Sequence, residues 1–198
     1  MPVLVRRPQD TAPAALRGHD RRLEALERRR GLAPTTTLPT NPAVGTRVMV
    51  PHATGVWEVQ WSGSAWVFVG GSDLTGYTDA EITTSVNTYP ASPQGPTVTV
   101  PRAGTYDVWI EARHRHAHTA VLFTGMCAMV GAVAVGQARE PVLAVGAQSV
   151  VGSWSSAQAG IALAAGAVIG VGFRAPNGSS IATFYAWRQI RVRPRTLT

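Results

Sequence analysis

The run "EARHRHAHT", residues 111 to 119, holds the densest set of side chains able to do chemistry in the chain. Strand alternation sets His114, His116 and His118 on one face, with Glu111, Arg113 and Arg115 on opposite or flanking sites. Imidazoles repeated at every second residue can share a transition metal. Three chains meeting with this face inward would stack rings of imidazole on a threefold axis, so the metal reading holds only for a trimer. The same face runs back through Tyr106, Val108, Ile110 and Ala112. The competing reading is therefore the polar end of a core strand that reaches solvent or a subunit contact.

Hydrolytic chemistry finds less support. Eleven acids are present, and four of them, Asp10, Asp20, Glu24 and Glu27, fall in the first 27 residues. A glycosidase dyad in the C-terminal part would have to use Asp107, Glu111 or Glu140. Asp107 and Glu111 share one face of a strand and stand about 13 Å apart at the usual rise, beyond either hydrolytic geometry. No nucleophile elbow and no phosphate-binding glycine loop occurs. We expect no catalytic residues and no enzyme activity.

The formal charge is +7, and all 18 basic residues are Arg. They are dispersed as Arg6/Arg7, Arg28 to Arg30, Arg113/Arg115 and Arg191/Arg193/Arg195, not gathered into one run, which argues against specific nucleic-acid binding. Cys127 is the only cysteine, so neither an intrachain disulfide nor a paired-cysteine zinc site can form. The first ten residues, "MPVLVRRPQD", lack the apolar core of a secretory signal. The charge-free stretches 117–138 and 141–173 are long enough to imitate membrane spans, but repeated Gly and polar "SWSSAQAG" favour buried strands, and no membrane insertion is expected.

These groups must be positioned by a mainly β chain. Residues 1–31 read as an attachment segment and short helix, with Gly31 and Pro34 as stop signals. Leu16, Leu23 and Leu26, with His19, form a heptad-like stripe, either a short coiled-coil seam for oligomerisation or an amphipathic helix lying on its own domain. Residues 32–51 are a Thr/Pro-rich linker. Residues 52–72 form a hairpin in which "GVWEVQW" and "AWVFVGG" flank a Ser-Gly-Ser turn. Alternation puts Trp57, Val59 and Trp61 on one face and Trp66 with Phe68 on one face of the second strand. Aromatics so paired make a small core more readily than a ligand platform. Residues 73–198 offer strand-like runs near 105–112, 119–124, 126–135, 142–151, 160–163, 167–174 and 181–192, the pattern of a sandwich or jelly roll. Apolar runs on both faces of a strand imply cover on both sides, which a partner subunit could supply.

The stretch "GVWEVQWSGSAWVFVGGSDL" resembles a segment of actinobacteriophage minor tail and tail-fibre proteins, in which a Trp hairpin precedes a β-rich module. "PTVTVPRAGTYDVWIEARHRH" resembles the opening of their jelly-roll modules, which are related in shape to the trimeric TNF and C1q heads. "AGAVIGVGFRAPNGSSIATFYAWRQIRVRP" resembles the close. The resemblance covers roughly Val56 to Pro194. It implies a non-enzymatic virion protein: a homotrimeric tail-tip fibre or minor tail protein that joins other virion proteins through its N-terminal segment and presents a jelly roll to a host glycan or protein. A head fibre or capsid decoration protein is the second reading. A carbohydrate-active tail enzyme or a TNF/C1q-like binding module is the third. No cofactor is implied beyond the axial metal.

Overall fold

The computed structural model describes residues 34–116, 122–139, 142–143, 152–175 and 182–198, and contains no helix among them. The chain runs through β1 (Arg47–His52), β2 (Gly55–Trp61), β3 (Trp66–Gly71), β4 (Leu74–Thr78), β5 (Ile82–Thr84), β6 (Thr97–Thr99) and β7 (Gly104–His116). It continues through β8 (Leu122–Phe123), β9 (Gly125–Val130), β10 (Val133–Arg139), β11 (Val142–Leu143), β12 (Gly152–Leu163), β13 (Val168–Arg174) and β14 (Thr183–Leu197). The large sheet has the order β1-β2-β3-β14-β7-β12, with β4 and β5 also on β14; the smaller sheet is β10-β9-β13-β6. β8 and β11 pair with each other as a separate two-stranded sheet; these two aside, from β4 onward the chain alternates between the large and the smaller sheet, staying within one only at β4–β5 and β9–β10. That order is consistent with a jelly roll.

Alternation along β7 explains why two sheets pack. Tyr106, Val108, Ile110 and Ala112 are buried, and the residues between them point outward. They meet Met126 and Ala128 of β9 and Ile169, Val171 and Phe173 of β13 in one core. The Tyr106 hydroxyl, inside that core, donates to the Arg102 carbonyl at 2.6 Å, as a buried phenol must find a partner.

The aromatic hairpin is the inner part of a three-stranded meander, because Arg47–His52, of which 47–51 was expected as linker, pairs with β2 from Arg47↔Gln60 to His52↔Gly55. β3 then joins β14 through Val67↔Thr196 and Trp66↔Leu197. Trp57 and Trp66 enter the common core with Val50, Val59 and Leu197, and the Trp57 ring lies 5.9 Å from that of Tyr106. A boundary near residue 72 therefore falls inside one sheet and one core. Trp61 and Phe68 are only partly buried against it, with Trp61 5.6 Å from Trp66. The aromatic alternation thus builds core, with Trp57 and Trp66 as its deepest members.

Three further details differ from the expected runs. The stretch 126–135 is two strands, because Gly131 takes a left-handed φ of 57° and turns β9 into β10. β14 continues through Pro194 to Leu197; Pro194 falls between the segment that pairs with β4 (to Val192) and the one that pairs with β3 (from Thr196), where no ladder donor is needed.

The third difference concerns cover. β13 is buried on both faces from Ile169 to Arg174, and residues of the 85–96 connection supply cover within the chain. Gln94 N–H donates to the Val171 carbonyl and Phe173 N–H to Gln94 Oε1, both at 2.9 Å. Ala175 N–H reaches the Val86 carbonyl at 2.8 Å. Gly170 makes the close approach possible, since a Cβ there would stand 2.6 Å from Pro93 Cβ. Two-sided burial here does not require a partner subunit.

Trp57→Ala should cost about 3–5 kcal/mol, the range for a fully buried aromatic, while Trp61→Ala should cost much less. Chemical denaturation of the two variants checks the ranking; equal losses would place Trp61 in the core after all.

Candidate functional site

The outward face of the large sheet carries a ladder of arginines, acids and aromatics. On β7 the outward residues are Asp107, Trp109, Glu111 and Arg113; opposite them β14 presents Arg193 to Asp107 and Arg191 to Trp109. Arg191 donates to Glu111 at 2.6 Å, and Arg195 lies 2.9 Å from Asp107. Arg193 grips Asp73, just before β4, with Nε to Oδ1 at 2.7 Å and a second donor to Oδ2 at 3.3 Å. Its guanidinium also lies 5.1 Å from the Trp109 ring and 5.3 Å from Phe68, and Arg191 stands 5.9 Å from Trp109. The arginine side chains remain 37 to 56 % exposed. Ion pairs this wet contribute at most about 1 kcal/mol each, so stability alone is a weak reason for the array. Asp107 and Glu111 are both held by arginines.

At the other end of the face, β14 bulges between Ala186 and Gln189. Trp187 adopts a left-handed φ of 47°, a conformation that costs a bulky residue about 1–3 kcal/mol and persists only when its surroundings enforce it. The bulge turns Trp187 outward, beneath the Arg113 guanidinium at 5.0 Å and beside the Tyr77 ring at 6.0 Å in an edge-on arrangement. Arg188, the next residue, turns inward and is 3 % exposed. One of its terminal nitrogens donates to the Gln94 and Gly95 carbonyls at 2.6 and 3.0 Å, the other to Ala80 at 2.9 Å. Burial lowers its pKa from the ordinary arginine value.

The other sequence candidates fall elsewhere. His114 and His116 lie in β7, paired with Tyr185 and Thr183 of β14, but their side chains, like all of His118, lie outside the described residues. Leu16, Leu23 and Leu26 also lie outside them. Among the described residues no three His, Cys, Asp or Glu side chains converge as a metal site. Burial pushes the Cys127 thiol up to about 12, which keeps it protonated and unreactive. A shallow cleft of about 400 Å³ is lined by Ala103, Gly104, Thr105, Ala162, Leu163, Ala164, Thr196 and Thr198. Two of its hydroxyls, on Thr105 and Thr196, bond each other at 2.7 Å.

His52, at the end of β1, is held by the turn into β2 and by the exit from β3. Its ring lies 4.7 Å from Trp57, Nδ1 accepts from Thr54 N–H at 3.3 Å, and Nε2 meets the Ser72 carbonyl at 3.2 Å. A neutral ring protonated on Nε2 satisfies both contacts.

Sequence reasoning missed the ladder. Arg191, Arg193 and Arg195 alternate, as do Asp107, Trp109 and Glu111, and that shared period was the available signal. The pairing itself spans 80 to 120 residues and is set by sheet register.

The fold class is thus a mainly β, two-sheet sandwich with an aromatic meander added to its larger sheet. No family model matches the chain, and no curated protein matches it. Among solved structures, one described as the structure of Eiger TNF from S. frugiperda is similar at 11 % identity, with a TM-score of 0.35, over 64 % of this chain and 93 % of that one. An overlap this loose leaves the fold to be argued from strand order.

Two outcomes follow. Arg188→Ala strands three carbonyls and should destabilise the fold on the order of 3 kcal/mol, measured by denaturant titration; a neutral effect would mean that the bulge stands without it. Desolvation lowers the His52 pKa below its usual 6.5, with Asp73 acting in the opposite sense. The unfolded chain therefore binds the proton more readily. The stabilisation is complete above 6.5 and is lost as pH falls below it. Thermal melts from about pH 7.5 to about pH 5 should fall more steeply in the native chain than in His52→Asn; parallel curves would refute this.

Proposed function

We propose that this chain is a non-enzymatic virion protein, a minor tail or tail-tip fibre subunit that forms a homotrimer and presents its sandwich to a host surface. The observation that carries the binding part is the outward face of the large sheet, where half-exposed arginines lie among aromatics and acids. Such a composition suits a contact surface, since Arg and aromatic residues dominate the energetics of interfaces. The virion part rests on the resemblance of the hairpin and of the opening and closing strands to phage tail modules. Attachment to other virion proteins is assigned to residues 1–31.

A capsid decoration role gains some ground from the 85–96 connection, because a sheet covered by its own chain has less need of a second subunit. Two measurements decide between the readings. Light scattering of the full chain should return about three times its 20.9 kDa mass, and immunogold labelling of intact particles should mark the tail tip. Label on the capsid with a monomeric mass would transfer the assignment to a decoration protein; no label on particles would remove the virion reading.

A further inference from the structure

Arg113, Trp187 and Tyr77 stand apart from the rest of the ladder. Arg191, Arg193 and Arg195 each hold a carboxylate, whereas Arg113, which is exposed, lies over the Trp187 ring at 5.0 Å with no ion pair to a described residue. A guanidinium held over an indole ring and not paired with a carboxylate of the described set has N–H donors to offer, and a guanidinium fork receives a carboxylate with two parallel bonds. Tyr77, 53 % exposed and edge-on to Trp187, adds a flat apolar rim. The left-handed turn at Trp187 and the three-carbonyl anchor of Arg188 behind it fix the platform in place.

We infer that Arg113, Trp187 and Tyr77 form a recognition site for a carboxylated saccharide, a chain containing uronic acid units. The guanidinium takes the carboxylate, and the aromatic rim takes the C–H face of the ring that bears it. One guanidinium unpaired within the described set matches one monoanion better than a phosphate dianion. An outward sheet face lacks the concavity that small isolated ligands need, so a polymer that gains contacts along the face is the fitting form. Arg191 and Gln189, outward on β14, lie along that path. This deepens the binding role proposed above but stands on the cluster itself.

The test is titration of the full chain, followed by tryptophan fluorescence and calorimetry, with an oligogalacturonate of about six units, its fully methyl-esterified form and a sugar phosphate. The acid form should bind, and esterification should weaken binding about tenfold or more. Arg113→Ala should do the same with its melting temperature unchanged, and Arg113→Lys should recover little, since an ammonium cannot reproduce the fork. Val133→Ala, an exposed control on β10 of the smaller sheet, should bind as the native chain does. Equal binding of acid and ester, no binding of the acid form, or tighter binding of the phosphate would overturn the inference. So would an oligomer that Arg113→Glu dissociates, because the cluster would then be a contact between copies. Failure here with tail-tip labelling intact leaves the virion role standing; uronate binding without virion labelling leaves the site and removes the role.

Discussion

A guanidinium taken out of water must have its donors met, and Arg188 meets most of that demand by placing both terminal nitrogens on main-chain carbonyls, while its buried Nε finds no partner among the described residues. Those carbonyls belong to Ala80, between β4 and β5, and to Gln94 and Gly95, just before β6. One side chain therefore ties β14 to the chain just before β5 and to the end of the connection that enters β6. The cost of burying the charge is offset only while all three acceptors stay in place, so the bulge, the crossover and the seating of the 85–96 connection are set together. Phe173, whose ring lies 5.9 Å from the guanidinium, joins the small sheet to the same point.

The bulge also divides the large sheet's outer face. On one side of it, regular alternation lines up β14 with β7 and pairs arginine with acid. At the bulge, the extra residue breaks the register and Trp187 swings outward. Bulges re-aim side chains in this way, and here the inward member of the pair holds the outward one. A buried polar contact and an exposed aromatic platform are thus two consequences of one backbone irregularity.

The long core strands were legible where burial leaves a period of two in the sequence, whereas β4, β5, β6 and the 152–159 part of β12 were not among the expected runs, and most of the expected 119–124 and 142–151 runs lies outside the described residues. β7 shows the period cleanly: Tyr106, Val108, Ile110 and Ala112 point in, and Asp107, Trp109 and Glu111 point out. The Trp hairpin was legible for the same reason, although its third strand was not, since "RVMVPH" carries a proline and sits behind a Thr/Pro stretch. Pro51 is tolerated because β1 lies at the sheet's outer edge. The bulge at Trp187 left no mark in the sequence: neither Gly nor Pro lies there, and the irregularity follows from how β5, β4 and β7 are registered on β14. The arginine–acid ladder was hidden likewise, as its partners are distant in sequence.

Two-sided burial was legible in composition, and for β13 part of the cover comes from the same chain. Apolar runs in β9 and β13 do need material on both faces, and a sequence carries no mark of whether that material is another chain or the same one. The glycines of "IGVGF" hold the clue. Gly170 leaves room for Pro93, and a Cβ at Gly172 would run into the Met129 sulfur, so the outer side of β13 is shaped to accept neighbours from its own chain. With that side closed by the 85–96 connection, the two sheets differ in what they show to solvent. β13 of the small sheet is covered by a loop laid over its glycines, and the large sheet presents its own side chains on a hydrogen-bonded frame. Recognition by fixed groups favours the second, because a side chain on a paired strand loses little freedom on binding.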